Sequence, residues 1–326
     1  MNKTRRQATL GLLCAATGIG SSAAWGQAYP SKPVRLVVPY TPGGSNDVLA
    51  RILADRLGRA WSQPLVVDNR PGAAGNIGAD NAAKSPPDGY TLLIAANNIL
   101  AINAALFAKM PFDPAKDLTS VTLLGTVPFV LVAGPSAKVS SVAELIARSK
   151  AKDGGVSYAS SGIGSPQHLS AELFRSLARI PMTHVAYKGA APAITDLLGG
   201  TVDVQFGSVS TLLPHIRSGK LTALAVAGTH RVASLPNVPT MIEAGIAGYD
   251  SEPWVGLSAP SGVPNAVIQK IGRDVREVLG QSDVVQKLVE QGIEPRPSSA
   301  AEMEKLVKAE REKWGRIIAE AGIKAE

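Results

Sequence analysis

Residues 34–47 read VRLVVPYTPGGSND. Val34, Leu36, Val37 and Val38 predict a short buried strand. The chain then breaks at Pro39, Pro42, Gly43 and Gly44 and resumes with a helical period. Val48, Leu49, Ile52, Leu53 and Leu57 share one face, and Arg51, Asp55 and Arg59 take the other. In a strand, glycine turn and helix of this kind, the glycines let a ligand come close to the backbone. The first N–H groups of the helix have no partner inside it. An anion placed there is hydrogen-bonded and favoured by the helix dipole. The same residues also describe a plain turn capped by Ser45 or Asn46, with Asp47 favourable near the helix start.

The unit has a counterpart further on. Val156 begins a strand that passes through Tyr158, Ala159, Ser160, Ser161, Gly162, Ile163, Gly164, Ser165 and Pro166 into a helix with Leu169, Leu173, Phe174 and Leu177 inward. Ser165 is placed as N-cap and Pro166 as the first helical residue. Ser160 and Ser161 bring hydroxyls to a glycine-flanked loop over the helix start, although a serine-rich turn also satisfies its own backbone.

Between and beyond these units the pattern is that of alternating strands and helices. Leu65–Asp68 predicts a strand, and Pro71–Gly78 a glycine-rich entry to a helix. The G-x-x-G-x-x-G spacing there departs from the dinucleotide fingerprint. Tyr90–Ala95 predicts a strand ending at the polar pair Asn97 and Asn98, on the rim where open α/β sheets bind ligands. Residues 121–134 read as a strand crossing from one lobe to the next. A helix follows, with Ser141 and Glu144 at capping-box spacing. Met182–Tyr187, Val202–Phe206 and Leu221–Ala227 predict strands, with Lys188 the only cation in a rim loop. A short helix is expected after the proline-ordered loop 235–240. Tyr249–Ala259 reads as the return crossing, which makes a hinge pair with the first. The tail, from Pro264 to Ile323, is helical and is expected to pack on the first lobe.

A chain of 326 residues is long for one core, and two lobes are the natural division. The first 28 residues read as an export signal: Lys3, Arg5 and Arg6, then the apolar stretch Ala8–Ala24, then Gly26-Gln27-Ala28 as a cleavage site. Thr4-Arg5-Arg6-Gln7 leaves both the twin-arginine and the general secretory route open. The single cysteine, Cys14, falls within that leader, so the remaining chain has no thiol. Removing the leader's three basic residues, which no acid there offsets, brings the formal charge from +7 to +4. That excess helps collect anionic solutes. No basic run with interleaved aromatics supports nucleic-acid binding, and no later apolar run is long enough to span a membrane.

Motifs for chemistry are sparse. His168, His184, His215 and His230 form no metal-ligand spacing, and no P-loop, flavin or pyridoxal motif is present. Ser165 and His168 are close, but no G-x-S-x-G elbow surrounds them, and an N-cap serine has its oxygen engaged. The pattern favours binding without cofactor or metal over catalysis.

Taken in order, PYTPGGSND, DNRPGAAGNIGAD, PPDGYTLLIA, YASSGIGSPQHLSAELF, HVAYKGAAPAITDLLGGTVDVQFG, SGKLTALAVAG, LPNVPTMIEAG and WVGLSAPSGVP resemble the Bug family. These are the TctC-like extracytoplasmic solute receptors of tripartite tricarboxylate transporters. The resemblance covers nearly the whole chain after the leader. It implies an α/β, two-lobed periplasmic binding protein of class II, each lobe a β-sheet flanked by helices, with ligand in the cleft between them. Residues 29–127 with 255–326 would form one lobe and 128–254 the other. The resemblance implies a monomeric receptor that binds a small carboxylate and delivers it to a large and a small membrane subunit. Sensing for a membrane signalling protein is an alternative, and an exported serine hydrolase a more remote one.

In that family backbone N–H groups, hydroxyls and waters from two glycine loops hold one carboxylate. The role is carried over to Thr41, Gly43, Gly44, Ser160, Ser161 and Gly164. Tyr40, Pro42, Asp47, Asn97, Asn98, Gly162, Ser165, His168, Tyr187, Lys188, Asp203 and Phe206 complete the candidate set. Many relatives place Thr-His-Ala after the DGYTLL strand, where this chain has Asn98-Ile99-Leu100. Ile99 at the rim would suit a partly apolar acid, and Ile99 turned inward would be a core residue.

Overall fold

The computed structural model describes residues 29–187 and 189–324. The leader, with Cys14, and Lys188 lie outside them. The strand that opens the chain, β1 (Val34–Val38), is almost wholly buried, and this is why it reads as an unbroken apolar run. It lies between β2 (Leu65–Asn69) and β3 (Thr91–Ala96), parallel to both. The helices α1 (Ser45–Trp61) and α2 (Asn76–Ala83) make the two connections. Leu49, Leu53, Leu57 and Trp61 of α1 are buried against this sheet.

Gly78 accounts for the glycine-rich entry to α2. A Cβ there would lie 2.7 Å from the Arg70 carbonyl and 2.8 Å from Pro39 Cβ, so only glycine lets the helix sit this close to the end of β1. Ile99 is fully buried in the core, against Gly75, and not at the rim. A π turn (Asn98–Ile102) and the short helix α3 (Asn103–Leu106) carry the chain from β3 onward.

Residues 121–134 form two strands instead of the expected one. β4 (Leu118–Thr126) belongs to the first sheet and β5 (Phe129–Ala133) to the second. The break falls at Val127-Pro128, where proline has no N–H for a ladder and Val127 N–H donates to the Pro253 carbonyl at 2.8 Å. Residue 253 is on the return crossing, so the two crossings are hydrogen-bonded to each other. Beyond it β10 (Trp254–Pro260) re-enters the first sheet, antiparallel between β3 and β4.

The second sheet runs β7 (Met182–Ala186), β6 (Val156–Ser160), β8 (Val204–Ser208), β5 and β9 (Thr222–Val226). The helices α4 (Val142–Ala151), α5 (Pro166–Ala178), α6 (Ala190–Leu198) and α7 (Val209–Arg217) connect and flank these strands. At α4 the capping box is half formed. Ser141 Oγ accepts Glu144 N–H at 3.2 Å, while the Glu144 carboxylate turns to Ser140 N–H at 2.7 Å. The helix expected after 235–240 is one hydrogen-bonded turn, with Ala244 N–H on the Thr240 carbonyl.

The C-terminal segment comprises α8 (Asn265–Leu279), α9 (Ser282–Glu290), the two-residue β11 (Glu294–Pro295) and α10 (Ala300–Ala321). It does not keep to the first lobe as expected. With 22 residues, α10 is roughly 33 Å long. Met303 and Val307 pack in the first sheet's core, while Trp314, Ile317 and Ile318 pack with Leu131, Phe174 and Tyr249 of the second. A helix with apolar residues along its whole length is buried wherever a core adjoins it, and here two cores do.

Glu252 lies on the return crossing, buried and pressed against Gly228, where a Cβ would come 2.9 Å from its Oε1. Burial pushes its carboxyl up to about 7; His230 opposes this and Glu294 adds to it. An acid raised from 4.5 to about 7 binds more protons folded than unfolded between those pH values, so stability falls as pH rises through them. Glu252→Gln removes that dependence. In urea titrations the variant should gain about 3 kcal/mol over the parent between pH 4.5 and pH 8, and parallel curves would contradict this.

Candidate functional site

Ligand sites in open α/β sheets lie past the carboxyl ends of parallel strands. Here the ends of β1 and β6 face one cavity of about 530 Å³ between the two sheets. Its walls come from Tyr40, Thr41, residues 44–46, Ala74, residues 96–98, Asn103, Leu106, Phe107, residues 161–166 and both crossings.

The first loop is held from below. Gly43 has φ +85°, a conformation that glycine adopts freely, with open space where a Cβ would stand. Its N–H donates to Asp47 Oδ2 at 2.9 Å, an oxygen that also accepts from Arg51 Nε at 2.9 Å. Asn69 Nδ2 donates to Asp47 Oδ1 at 2.9 Å and to the Tyr40 carbonyl at 3.2 Å. The Arg51 hydrogen bond, helped by Gly43 N–H and Asn69, holds the Asp47 carboxyl down at about 2, so it is ionised whenever the protein is folded near neutrality. Asp47 therefore fastens the loop and does not line the cavity, and Gly43 N–H is already committed to it.

What the loop offers is Gly44 and the start of α1. Gly44 serves as N-cap without a side chain, and its carbonyl accepts both Asp47 N–H and Val48 N–H. The N–H groups of Ser45 and Asn46 meet no acceptor among the described residues, and both residues line the cavity.

The second loop is fastened by aromatic stacking. His168 and His184 lie ring on ring with centroids 4.0 Å apart, and the Tyr158 ring lies nearly parallel to both, 4.8 Å from His184 and 6.2 Å from His168. His168 Nδ1 accepts Gly164 N–H at 3.0 Å, which requires that nitrogen to be unprotonated. Burial, then the neighbouring His184, pulls the His168 imidazole down to about 4, and burial lowers His184 also. Ser160 Oγ is bonded to His184 Nε2 at 2.7 Å, and Ser161 Oγ donates to Gln167 Oε1 at 2.8 Å. Gly162 and Gly164, at φ +134° and +73°, turn the chain over the start of α5. The N–H groups of Ser161 and Ile163 meet no acceptor among the described residues.

Of the residues singled out from sequence, Tyr40, Thr41, Gly44, Asn97, Asn98, Ser161, Gly162, Gly164 and Ser165 line the cavity. Pro42, Gly43, Asp47, Ser160 and His168 do not; apart from Pro42, they support the loops from behind. Tyr187 gives its hydroxyl to Asp196 Oδ2 at 2.7 Å. Phe206 is core, packed between Phe174 and Tyr249. Asp203 stands at the opposite end of β8 from the cleft, where Lys152 Nζ at 2.7 Å and Ser157 N–H at 2.8 Å satisfy it. Neither of the latter two touches the cavity.

Sequence reasoning did not find Asn103, Leu106, Phe107, Phe129 or Val255 as cavity residues. They come from strand ends and a short helix and carry no local motif. Trp254, read only as part of a crossing, is another wall.

Two sheets joined by paired crossings, with one cleft over two helix starts, define the class of periplasmic solute-binding proteins. Residues 49–323 match the family model described as "Tripartite tricarboxylate transporter family receptor", TctC, and the chain belongs to that family. It is 38% identical to Protein BugT of Bordetella pertussis over 325 residues, covering 99% of each chain. Among solved structures it is similar to R. palustris Rpa4515 with adipate, at 38% identity and TM-score 0.77, covering 91% of this chain and 99% of that one. It is also similar to MatC from Rhodopseudomonas palustris with bound malate, at 31% identity and TM-score 0.73, covering 89% and 100%.

The stacked histidines give an expectation. A histidine whose folded value lies near 4 and whose unfolded value is 6.5 is neutral when buried, so folding loses stability as pH falls from 6.5 to 4. Relative to His168→Gln, the parent should lose about 3 kcal/mol over that interval in urea titrations. Equal slopes for the two proteins would show that His168 takes up its proton without cost.

Proposed function

We propose that the protein is an extracytoplasmic receptor that captures a small carboxylate between its two sheets and delivers it to the membrane subunits of a tripartite tricarboxylate-type transporter. The observation that carries this reading is the meeting, in one cavity, of unpartnered backbone N–H groups from the start of α1 beside one sheet and from the glycine loop ahead of α5 beside the other. Ser45 and Asn46 supply them on one side, and Ser161 and Ile163 on the other. Such donors favour an anion, and a ligand that bridges them draws the sheets together about the paired crossings. Residues 29–127 with 255–326 would then move against 128–254. The adipate and malate held by the two similar structures fit this chemistry. The leader at residues 1–28 would take the chain out of the cytoplasm.

The hydrolase alternative finds little support in the geometry. Ser165 Oγ accepts His168 N–H at 3.3 Å as an N-cap, and His168 Nδ1 is engaged with Gly164, so no Ser–His hydrogen bond links the two side chains.

A thermal-shift screen of the chain from Tyr29 onward against mono-, di- and tricarboxylates tests the receptor reading. A ligand at 100 times its Kd adds about 2.7 kcal/mol to the folded state. Gly44→Val should leave the ligand-free stability within about 1 kcal/mol, since Gly44 has φ −77° and a Cβ there is 3.8 Å from its nearest neighbour. The same substitution should weaken binding at least tenfold by putting a branched side chain between the solute and the helix start. Unchanged affinity would remove α1 from the site.

A further inference from the structure

Resting on the receptor reading, we infer that Asn97 determines specificity: its side-chain amide binds a second polar group of the solute, a hydroxyl, oxo or carboxyl group lying beyond the carboxylate held at the glycine loops. Asn97 directly follows β3 and is 4% exposed. Its amide bonds to no other described residue, and neither its nitrogen nor its oxygen is sealed within the packing. The residue lines the cavity, so the partner for that amide comes from the cavity.

The neighbouring asparagines have structural duties. Asn98 Nδ2 donates to the Ala74 carbonyl at 2.8 Å, and Asn98 Oδ1 accepts from Tyr40 Oη at 2.9 Å. Asn103 Nδ2 donates to the same carbonyl at 3.2 Å and to Asn76 Oδ1 at 2.7 Å. Both hold a turn in which Ala73 and Ala74 have positive φ. Asn97 holds no such turn. A hydrocarbon solute laid over its amide would strip the water from it and return no hydrogen bond. A hydroxyl, oxo or carboxyl group completes it, because the side chain presents both a donor and an acceptor.

The sheet order gives that group a definite place. β3 lies between β1, which leads into the Gly44 loop, and β10. Adjacent strands run about 4.8 Å apart, so Asn97 stands one strand spacing from the end of β1, toward the return crossing. Ala96 pairs with Val255, and Asn97 and Trp254 are the next residues on the two chains. Trp254 also lines the cavity, and its Nε1–H is buried without an acceptor among the described residues. The wall from Asn97 to Trp254 therefore has hydrogen-bonding capacity that the described protein groups do not use.

The test is titration calorimetry on the chain from Tyr29 onward at pH 7.5, with acids matched in length: butyrate, 3-hydroxybutyrate and succinate, then hexanoate, 6-hydroxyhexanoate and adipate. In the set that binds, the better of the two polar acids should bind at least tenfold tighter than the hydrocarbon acid. Asn97→Leu, close in volume, should bring that ratio below threefold. Asn97→Asp keeps the shape and an acceptor but adds a negative charge, so it should weaken the dicarboxylate at least tenfold more than the hydroxy acid; it decides the matter should the leucine variant not fold. A hydrocarbon acid binding as tightly as its polar partners, a ratio that survives Asn97→Leu, or equal effects of Asn97→Asp on both polar acids would overturn the inference and leave the carboxylate receptor intact. Binding of none of the six acids would overturn both.

Discussion

The site depends on one constraint of helical geometry: the first turn of an α-helix cannot satisfy its own N–H groups. Where a helix starts at the surface, water or a side-chain cap supplies the acceptor. Here α1 starts at Gly44, which has no side chain, and α5 starts at Ser165, whose hydroxyl reaches only His168 N–H. At α1 the N–H groups of Ser45 and Asn46 are left over, and ahead of α5 those of Ser161 and Ile163 in the glycine loop; all four residues line the cavity. Placing both helices after parallel strands of two sheets brings their starts to the same cleft. Such donors attract an anion although no charged residue lines the cavity among the described residues.

That arrangement is fastened by groups that do not line the cavity. Asp47 gathers Gly43 N–H, Arg51 and Asn69 beneath the first loop. The stacked pair His168 and His184 does the corresponding work beneath the second, through Gly164 N–H and Ser160 Oγ. One is a buried carboxylate compensated by three donors, the other a neutral aromatic stack, and both fix backbone geometry before a ligand arrives. Preorganisation of this kind lowers the ordering cost of binding. Glu252 at the crossing and His168 under the loop, both buried, act on stability with opposite sign over overlapping pH ranges. Over the pH range they share, the contributions of these two groups offset each other.

The crossings and the C-terminal helix set how the lobes are tied. Val127 and Pro253 are bonded across the pair, so the two passages are held side by side at their shared hydrogen bond. The long α10 packs in both cores through Met303 and Val307 at one end and Trp314 and Ile317 at the other. Rotation of one sheet against the other must carry this helix with it or slide along it.

Much of this was legible in the residues. The buried strand at Val34–Val38, the glycine turn, the amphipathic start of α1 and the Ser165-Pro166 cap are local facts, decided by side-chain period, glycine's positive φ and proline's fixed φ, and they are found where sequence placed them. Tertiary structure decided which of the nearby polar groups face the cavity. Asp47 and His168 sit in the motif yet turn behind it, because each finds N–H partners on the buried side. Asp203 lies at the far end of its strand, a matter of strand direction that no local pattern encodes. Phe107, Phe129 and Val255 become walls only because two sheets and their crossings bring them within one cavity. Sequence determines what a backbone segment can offer, through interactions that span a few residues. Which offers meet is fixed by packing between segments far apart in the chain.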